Sequence, residues 1–507
     1  MRARRTRRSK TDRANGREHT AESDVRSPVA VDQLQAEVER LRRELSEARK
    51  QIAELERQLA MRQQNSTTSS KPPSSDGLAG QQRERGRRKK SRRKPGGQVG
   101  HPGHSRPVVP PERVNHVVPI YPDTCRHCDH ALPVRGRTVI GEPRRHQVTE
   151  LPAIDADITE YQCQRVVCPG CGKTTQAAVP DDVVGQFGPQ LTALVAHLTV
   201  VCRVPRRLVQ ALLEGALRIP ISLGSTQAAW EEASDAVAAP YAELEQALPH
   251  QSVVNGDETG HRTNAEKRWL WALVAPGFVV YRIAATRGTE VLAALLGEVF
   301  AGVLCCDRWR PYQTYHQGRL QFCWAHFKRN VLGAQDLAKT TEAQRFCREV
   351  LALHARLFRL WYRFRGDLTA RGKPLTRREL IDKVLPLQEE LFSLARRHLD
   401  SAQRDVRNLA KALFVQHDNF FTFVYHDGVE PTNNRAEQAL RTAVQWRKIM
   451  FGNRSAVGEL AVARLLTVAR TCQMQHVNTL VYLTAAIQCH RRRQAVASLL
   501  PKTAVTT

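Results

Sequence analysis

From Ser252 to Asp307 the sequence runs through three strand-like stretches, one helical stretch and one short apolar stretch, in that order. "SVVNGDETGHR", "RWLWALVAP" and "GFVVYRIAA" are rich in aromatic and β-branched residues, and Pro276-Gly277 separates the last two, so three successive strands are expected. "TEVLAALLGEVFA" reads as a helix, and "GVLCCDRWRPY" as a short buried strand ending at Asp307. This order restricts both the sheet and the residues that stand at its edge.

A β-β-β-α-β order with one Asp on the first strand and another at the end of the fourth is that of a ribonuclease-H-like α/β core. Strands one and four are neighbours there, so Asp257 and Asp307 are expected to converge. Glu258, the next residue on an extended strand, points to the opposite face and reads as structural. "PTNNRAEQALRTAVQWRKIMFGN" offers a third carboxylate. In a helix starting near Asn434, Glu437 shares a face with Leu440 and Val444 and points toward the sheet. Asn434-x-x-Glu437 also fits a capping box, in which Glu437 only closes the helix start. Three close carboxylates repel one another and shift their pKa values upward unless a cation neutralises them, so metal is implied. Oxygen-only ligands with open positions suit two Mg2+ (or Mn2+) ions that clamp a phosphodiester, one activating the attacking oxygen and one stabilising the leaving oxygen.

Upstream, Val31, Leu34, Val38, Leu41, Leu45, Ala48, Ile52, Leu55 and Leu59 alternate three and four apart, the heptad seam of a coiled coil. With Val38 and Leu45 at a, Glu37 and Glu44 fall at g and Arg42 and Arg49 at e, where a parallel dimer forms interhelical pairs; the competing reading is a lone solvated helix. "NSTTSSKPPSSDG" and "RERGRRKKSRRKPGGQVGHPGHSR" form a linker that cannot fold alone, and its run Arg87 to Lys94 either neutralises phosphates or is a solvated tail. Cys125-x2-Cys128 and Cys168-x2-Cys171 can each aim two thiolates at one tetrahedral Zn2+, giving a structural zinc ribbon with no open position; the alternative is four unliganded thiols. Cys163 lies outside that spacing and reads as a core thiol. From Phe187 onward, helical periodicity broken at "RIPISLGS", with Ser225 as N-cap of the next helix, has the outline of a helix-turn-helix or of two ordinary core helices.

The chain of 507 residues, 41% hydrophobic, has room for several domains. Its 77 Lys and Arg against 50 Asp and Glu give a formal charge of +27, which suits a polyanionic partner, nucleic acid first. "MRARRTRRSKTDR" lacks a following apolar region and "LTALVAHLTVV" is too short to cross a bilayer, so no membrane partner and a reducing intracellular setting are expected.

The ordered set "NSTTSSKPPSSD" after a coiled coil, "KPGGQVGHPGH", the paired C-x2-C, "DETG", "CCDRWRPY", "CWAH", "NNRAEQALR" and a terminal "YL...SLLP" resembles a DDE transposase of the insertion sequence 66 family. By that resemblance Asp257, Asp307 and Glu437 match the DDE triad, binding two Mg2+, and a helical insertion precedes Glu437. Cys323 and His326 match a C-x2-H signature of related transposases; a core Cys and a satisfied core His are the alternative. "CCDRW" departs from a more usual Ser-Asp-Gly-type surround. The resemblance implies cleavage and strand transfer at the terminal inverted repeats of an insertion sequence, with double-stranded end and target DNA as partners. It also implies a homodimer or higher oligomer through the coiled coil, room for accessory transposition proteins, and a cytoplasmic, nucleoid-associated bacterial location. A DNA-binding protein that keeps the fold but no longer transposes is the competing class.

The expected organisation is therefore multidomain α+β. A basic tail (1–30), coiled coil (31–64), basic linker (65–110), zinc ribbon (111–180) and helix-turn-helix-like DNA-binding region (181–248) precede the catalytic core. The core itself comes in two parts (249–329 and 425–470) around a helical insertion (330–424), with a C-terminal helical segment (471–507) after it.

Overall fold

The computed structural model describes residues 28–64, 107–152, 154–367 and 372–501; the run Arg87 to Lys94 and the N-terminal basic run through residue 27 lie outside the described residues. Helix α1 (Pro28–Gln63) carries the heptad seam over 36 residues without a break. Leu34, Val38, Leu41, Leu45, Ile52, Leu55 and Leu59 are all exposed along it. Within the helix Arg40 bridges Glu37 at 2.6 Å and Glu44 at 3.2 Å. Its last turns rest on the body of the protein through Arg57–Asp405 (3.1 Å), Lys339–Glu56 (2.8 Å) and Arg404–Glu54 (3.5 Å).

Strands β1 (Arg165–Val167) and β2 (Thr174–Gln176) form an antiparallel ladder around Cys168 and Cys171, and an isolated antiparallel bridge, Thr124 to Ala131, brackets Cys125 and Cys128. Helices α2 (Pro189–Val200), α3 (Arg206–Leu217) and α4 (Leu223–Ala236) then enclose a small core of Val195, Val209, Leu213, Ile221 and Ala229. The N-cap of α4 is Ser222, not Ser225. Ser222 is extended and its Oγ accepts the Ser225 N–H at 3.0 Å, so Ser225 already stands inside the first turn. After α5 (Ala238–Ala247) come β3 (Val253–Thr263), β4 (Glu266–Ala275) and β5 (Phe278–Ala284), the three expected strands. Asn264 and Ala265, both with positive φ, make the two-residue β3–β4 turn, and Pro276 with Gly277 at φ 86° makes the next.

Helix α6 (Thr289–Leu296) is shorter than its apolar run because Gly297, at φ 80°, ends it. Strand β6 (Val303–Cys306) and helix α7 (Arg310–Tyr315) follow, then β7 (Leu320–Phe322), which the sequence reading did not include. The sheet order is β5-β4-β3-β6-β7, antiparallel from β5 to β3 and parallel from β3 to β7. Helices α8 (Trp324–Asp336), α9 (Thr341–Phe364), α10 (Arg377–Arg397), α11 (Arg404–Val415) and the short α12 (Thr422–Tyr425) follow β7 and share one continuous core with the sheet. Trp324 anchors this join: its Nε1 donates to the Phe420 carbonyl at 2.6 Å and its ring meets Phe420 and Phe327 edge-on.

Helices α13 (Asn434–Met450), α14 (Ala456–Met474) and α15 (Thr479–Arg491) complete the chain. Trp446 of α13 stacks on Trp230 of α4 at 6.4 Å, and Arg491 of α15 pairs with Glu232 of α4 at 2.6 Å, which fixes the three-helix unit to the core. The terminal "SLLP" folds back on the β4–β5 turn, where Gln475 donates to the carbonyls of Leu499 and Gly277. Among the described residues no helix is long and apolar enough to cross a membrane.

Candidate active site

Register alone sets the row of groups at the sheet edge. β3 pairs with β6 as Val253 with Val303 through Asn255 with Cys305; the same register carried two places further brings Asp257 toward Asp307, whose charge reaches it. β6 pairs with β7 as Leu304 with Leu320 through Cys306 with Phe322, and the Cys323 N–H continues the ladder onto the Cys306 carbonyl at 2.9 Å. Asp257, within β3 just past its pairing with β6, therefore falls in one row with Asp307 and Cys323, the residues that follow β6 and β7.

The start of α13 crosses this row. Its N-cap is Asn433, and the Asn434–Glu437 capping box does not form. Asn433 is buried and spends its polar atoms on two other segments, β3 and the end of β7. Its Nδ2 donates to the Gly256 carbonyl (2.7 Å), its Oδ1 accepts from Asn255 Nδ2 (3.0 Å), and its N–H is directed at Cys323 Sγ (3.2 Å). One turn later Glu437 faces Cys323 and His326: its Oε1 is 4.0 Å from Cys323 Sγ and 3.3 Å from His326 Nδ1, with Arg329 at 3.5 Å. Sequence reasoning named Asp257, Asp307, Glu437, Cys323 and His326 as candidates. It missed Asn255 and Asn433, whose only trace was a polar residue inside an apolar strand and the first of two consecutive Asn.

The electrostatics match the crowding. The Asp257 carboxyl is held well above the usual carboxylate range, first by burial, then by the negative charges of Glu258, Asp307 and Glu437. Asp257 Oδ1 accepts the Glu258 N–H (2.9 Å) and Asp307 Oδ1 the Trp309 N–H (2.8 Å). Among the described residues no donor engages the other oxygen of Asp257, Asp307 or Glu437. Glu258 turns to the opposite face, buried, where the Tyr312 hydroxyl donates to it and Arg287 pairs with it. Burial raises its carboxyl, and those two partners oppose the rise. Burial also pushes the Cys323 thiol up to about 11 and lowers the basicity of His326, whose Nδ1 is buried without a hydrogen-bond partner. The donor atoms of Cys323, His326 and Glu437 lie within 4.8 Å of one another, close enough to hold one ion.

Cys125-x2-Cys128 and Cys168-x2-Cys171 fold into matching knuckles. In each, the first Cys donates its N–H to a carbonyl five residues on, and its own carbonyl accepts from the residue four on. Backbone N–H groups of His127 and Cys128, or of Cys171 and Gly170, pull the first thiol of each pair below its usual range. The knuckles have the form of two half-sites, and the four thiols do not come together as one ligand set among the described residues.

A mixed sheet with two acidic groups along one row, crossed by a helix that brings another nearby, forms the candidate site. Residues 184–459 match the model of the transposase IS66 family, and the chain belongs to that family. It is thereby a transposase, with DNA as its partner and a divalent metal among its requirements. Residues 21–107, which take in α1 and the basic linker, match a family of unknown function (DUF6444). A search among curated proteins returns no match.

Proposed function

We propose that the chain cuts and joins DNA at the terminal inverted repeats of an insertion sequence as a DDE transposase, with Asp257, Asp307 and Glu437 as the catalytic carboxylates on a ribonuclease-H-like core. The observation that carries this reading is the parallel register that brings Asp257 toward Asp307, with Glu437 near enough that its charge also raises the Asp257 carboxyl. The strand order, three antiparallel then two parallel, supports the same fold. The donor chemistry suits Mg2+: all three are hard oxygen donors, each keeps a free oxygen, and their mutual repulsion calls for a cation, while the Glu437 ligand atom gathers with Cys323 and His326 rather than with the two Asp. When bound, such ions activate an attacking oxygen and stabilise a leaving one on a phosphodiester. The protein's share is to hold the carboxylates in place, and to bring Arg308 beside Asp307 and Arg329 onto Glu437, so that a polyanion is met by cations.

The remaining parts support DNA handling. The unit α2–α4, with its own small core, would dock on a duplex as a helix-turn-helix, and the exposed seam of α1 would pair with a second copy to hold two DNA ends. The two thiol knuckles would close on one structural Zn2+. Asp257→Asn, Asp307→Asn and Glu437→Gln are each expected to abolish Mg2+-dependent cleavage of the element's own ends while leaving DNA binding within about threefold, since the amide keeps the shape and removes the charge. Cleavage at the wild-type rate by any one of them would remove that residue from the triad.

A further inference from the structure

We propose that Trp309, braced by Arg287, is a stacking platform for an unpaired nucleobase of the DNA strand at the active site. This inference rests on the DNA-cleaving function proposed above. The Arg287 guanidinium lies 4.2 Å from the ring centroid of Trp309 and 4.9 Å from that of Trp269, so it touches two indoles, and Lys267 Nζ stands 4.7 Å from the Trp269 ring. Trp309 is 41% exposed, and among the described residues no other aromatic ring stacks on it.

A single exposed indole is ordinary on a protein surface. This one differs in how it is held and where. The backbone N–H of Trp309 donates to Asp307 Oδ1 at 2.8 Å, and the Arg287 that braces the ring is paired with buried Glu258, on the opposite face of β3 from Asp257. The backbone of the residue is therefore tied to the acidic row, while its ring is braced by a buried ion pair. A ring fixed this way loses little freedom when something stacks on it, and the guanidinium behind it favours a partner that carries phosphate.

In a duplex the faces of the bases are covered by their neighbours. An indole at the reacting phosphodiester can meet a base face only where a nucleotide has left the stack or has no complement. The ligand class is thus an unpaired nucleobase, either extruded from the duplex end or belonging to a single-stranded flank.

The test uses the full-length protein, Ca2+ in place of Mg2+, and the element's terminal repeat carrying 5-iododeoxyuridine beside the cleaved bond. One arm is the intact duplex and the other the same strand alone. Irradiation is expected to cross-link the peptide containing Trp309. A cross-link in both arms indicates extrusion, and one in the single-strand arm only indicates a flank. Trp309→Ala should lose the cross-link and bind the single strand about 5- to 150-fold more weakly, the usual cost of removing one stacking ring, while Trp309→Phe retains most of the affinity. Trp309 is at the surface, and circular dichroism of the variants verifies their folding. If the wild type binds and cleaves the repeat, yet no cross-link reaches Trp309 and Trp309→Ala binds the single strand unchanged, the platform is refuted and the cleaving function stands. If the wild type neither binds nor cleaves the repeat with Mg2+, the cleaving function falls, and the platform with it.

Discussion

Asn433 holds together the parts that the acidic residues need. One amide side chain ties α13 to β3 at Asn255 and Gly256, and the backbone N–H of Asn433 reaches Cys323 at the end of β7. Asn433→Ala is expected to leave the buried Asn255 amide and the Gly256 carbonyl unpaired, costing about 1–3 kcal/mol in denaturant unfolding. Cleavage should fall further than stability alone explains, because Glu437 loses its fixed distance to Asp257; Asn433→Asp would restore the acceptor for Asn255 and not the donor to Gly256. Equal cleavage by wild type and Asn433→Ala, at matched folded fractions, would reduce Asn433 to a packing residue. Legibility at this scale followed the pattern of burial. Asp257 and Asp307 stood out because charge interrupts apolar strands, and Glu437 because it shares a helix face with Leu440. Asn433 did not, since an Asn before a helix normally signals a cap, and here the side chain turns away from its own helix to a strand far off in sequence.

Secondary structure was readable where it was long. β3, β4 and β5 came through because their turns carry the residues that tight reversals need, and α1 because its seam repeats without a fault. β7 was invisible: three residues, Leu320–Phe322, are too few for any period, and only pairing with β6 makes them a strand. The insertion carries a pH dependence of its own. His354 of α9, stacked on Phe358 at 4.2 Å, has its pKa lowered by burial to about 4. The unfolded chain takes up that proton near pH 6.5 and the folded chain only near 4, so this contribution is complete above the first value and is lost as pH falls toward the second. The loss amounts to at most about 1.4 kcal/mol per pH unit for one group. His354→Phe should flatten the melting temperature across that interval, and an unchanged slope would show that His354 is not the group. The knuckles make a separate claim: the purified full-length protein should contain about one equivalent of zinc, and Cys168→Ser should contain none. Wild-type protein free of zinc by elemental analysis would leave the four thiols unliganded.

For the molecule as a whole, the proposed assembly depends on α1. Leu41 and Leu45 sit at the middle of an exposed apolar seam, and replacing both with Glu is expected to convert a dimer to a monomer in sedimentation while single-end DNA binding is only weakened. Joining of paired ends should be lost; a double variant that remains dimeric and joins normally would transfer assembly to another surface. What the sequence could not convey is how α1 meets the rest. Arg57, Glu54 and Glu56 look like ordinary heptad charges until Asp405, Arg404 and Lys339, some three hundred residues away, are found beside them.

Those three contacts make α1 a lever. A helix of 36 residues extends about 54 Å, and this one is gripped at its C-terminal end and bare along the rest. Where the seam faces is thus geared to where the sheet faces, through a rod whose angular phase advances about 100° with every residue. Inserting one heptad between Leu45 and Ile52 would lengthen the arm and return the seam to within about 20° of its present heading. Three inserted alanines would leave it turned by about 60° from that heading. In a paired assembly the first change should preserve joining and the second should abolish it, though both proteins still dimerise and both cut single ends. Equal joining by the two would mean that the arm transmits no torque.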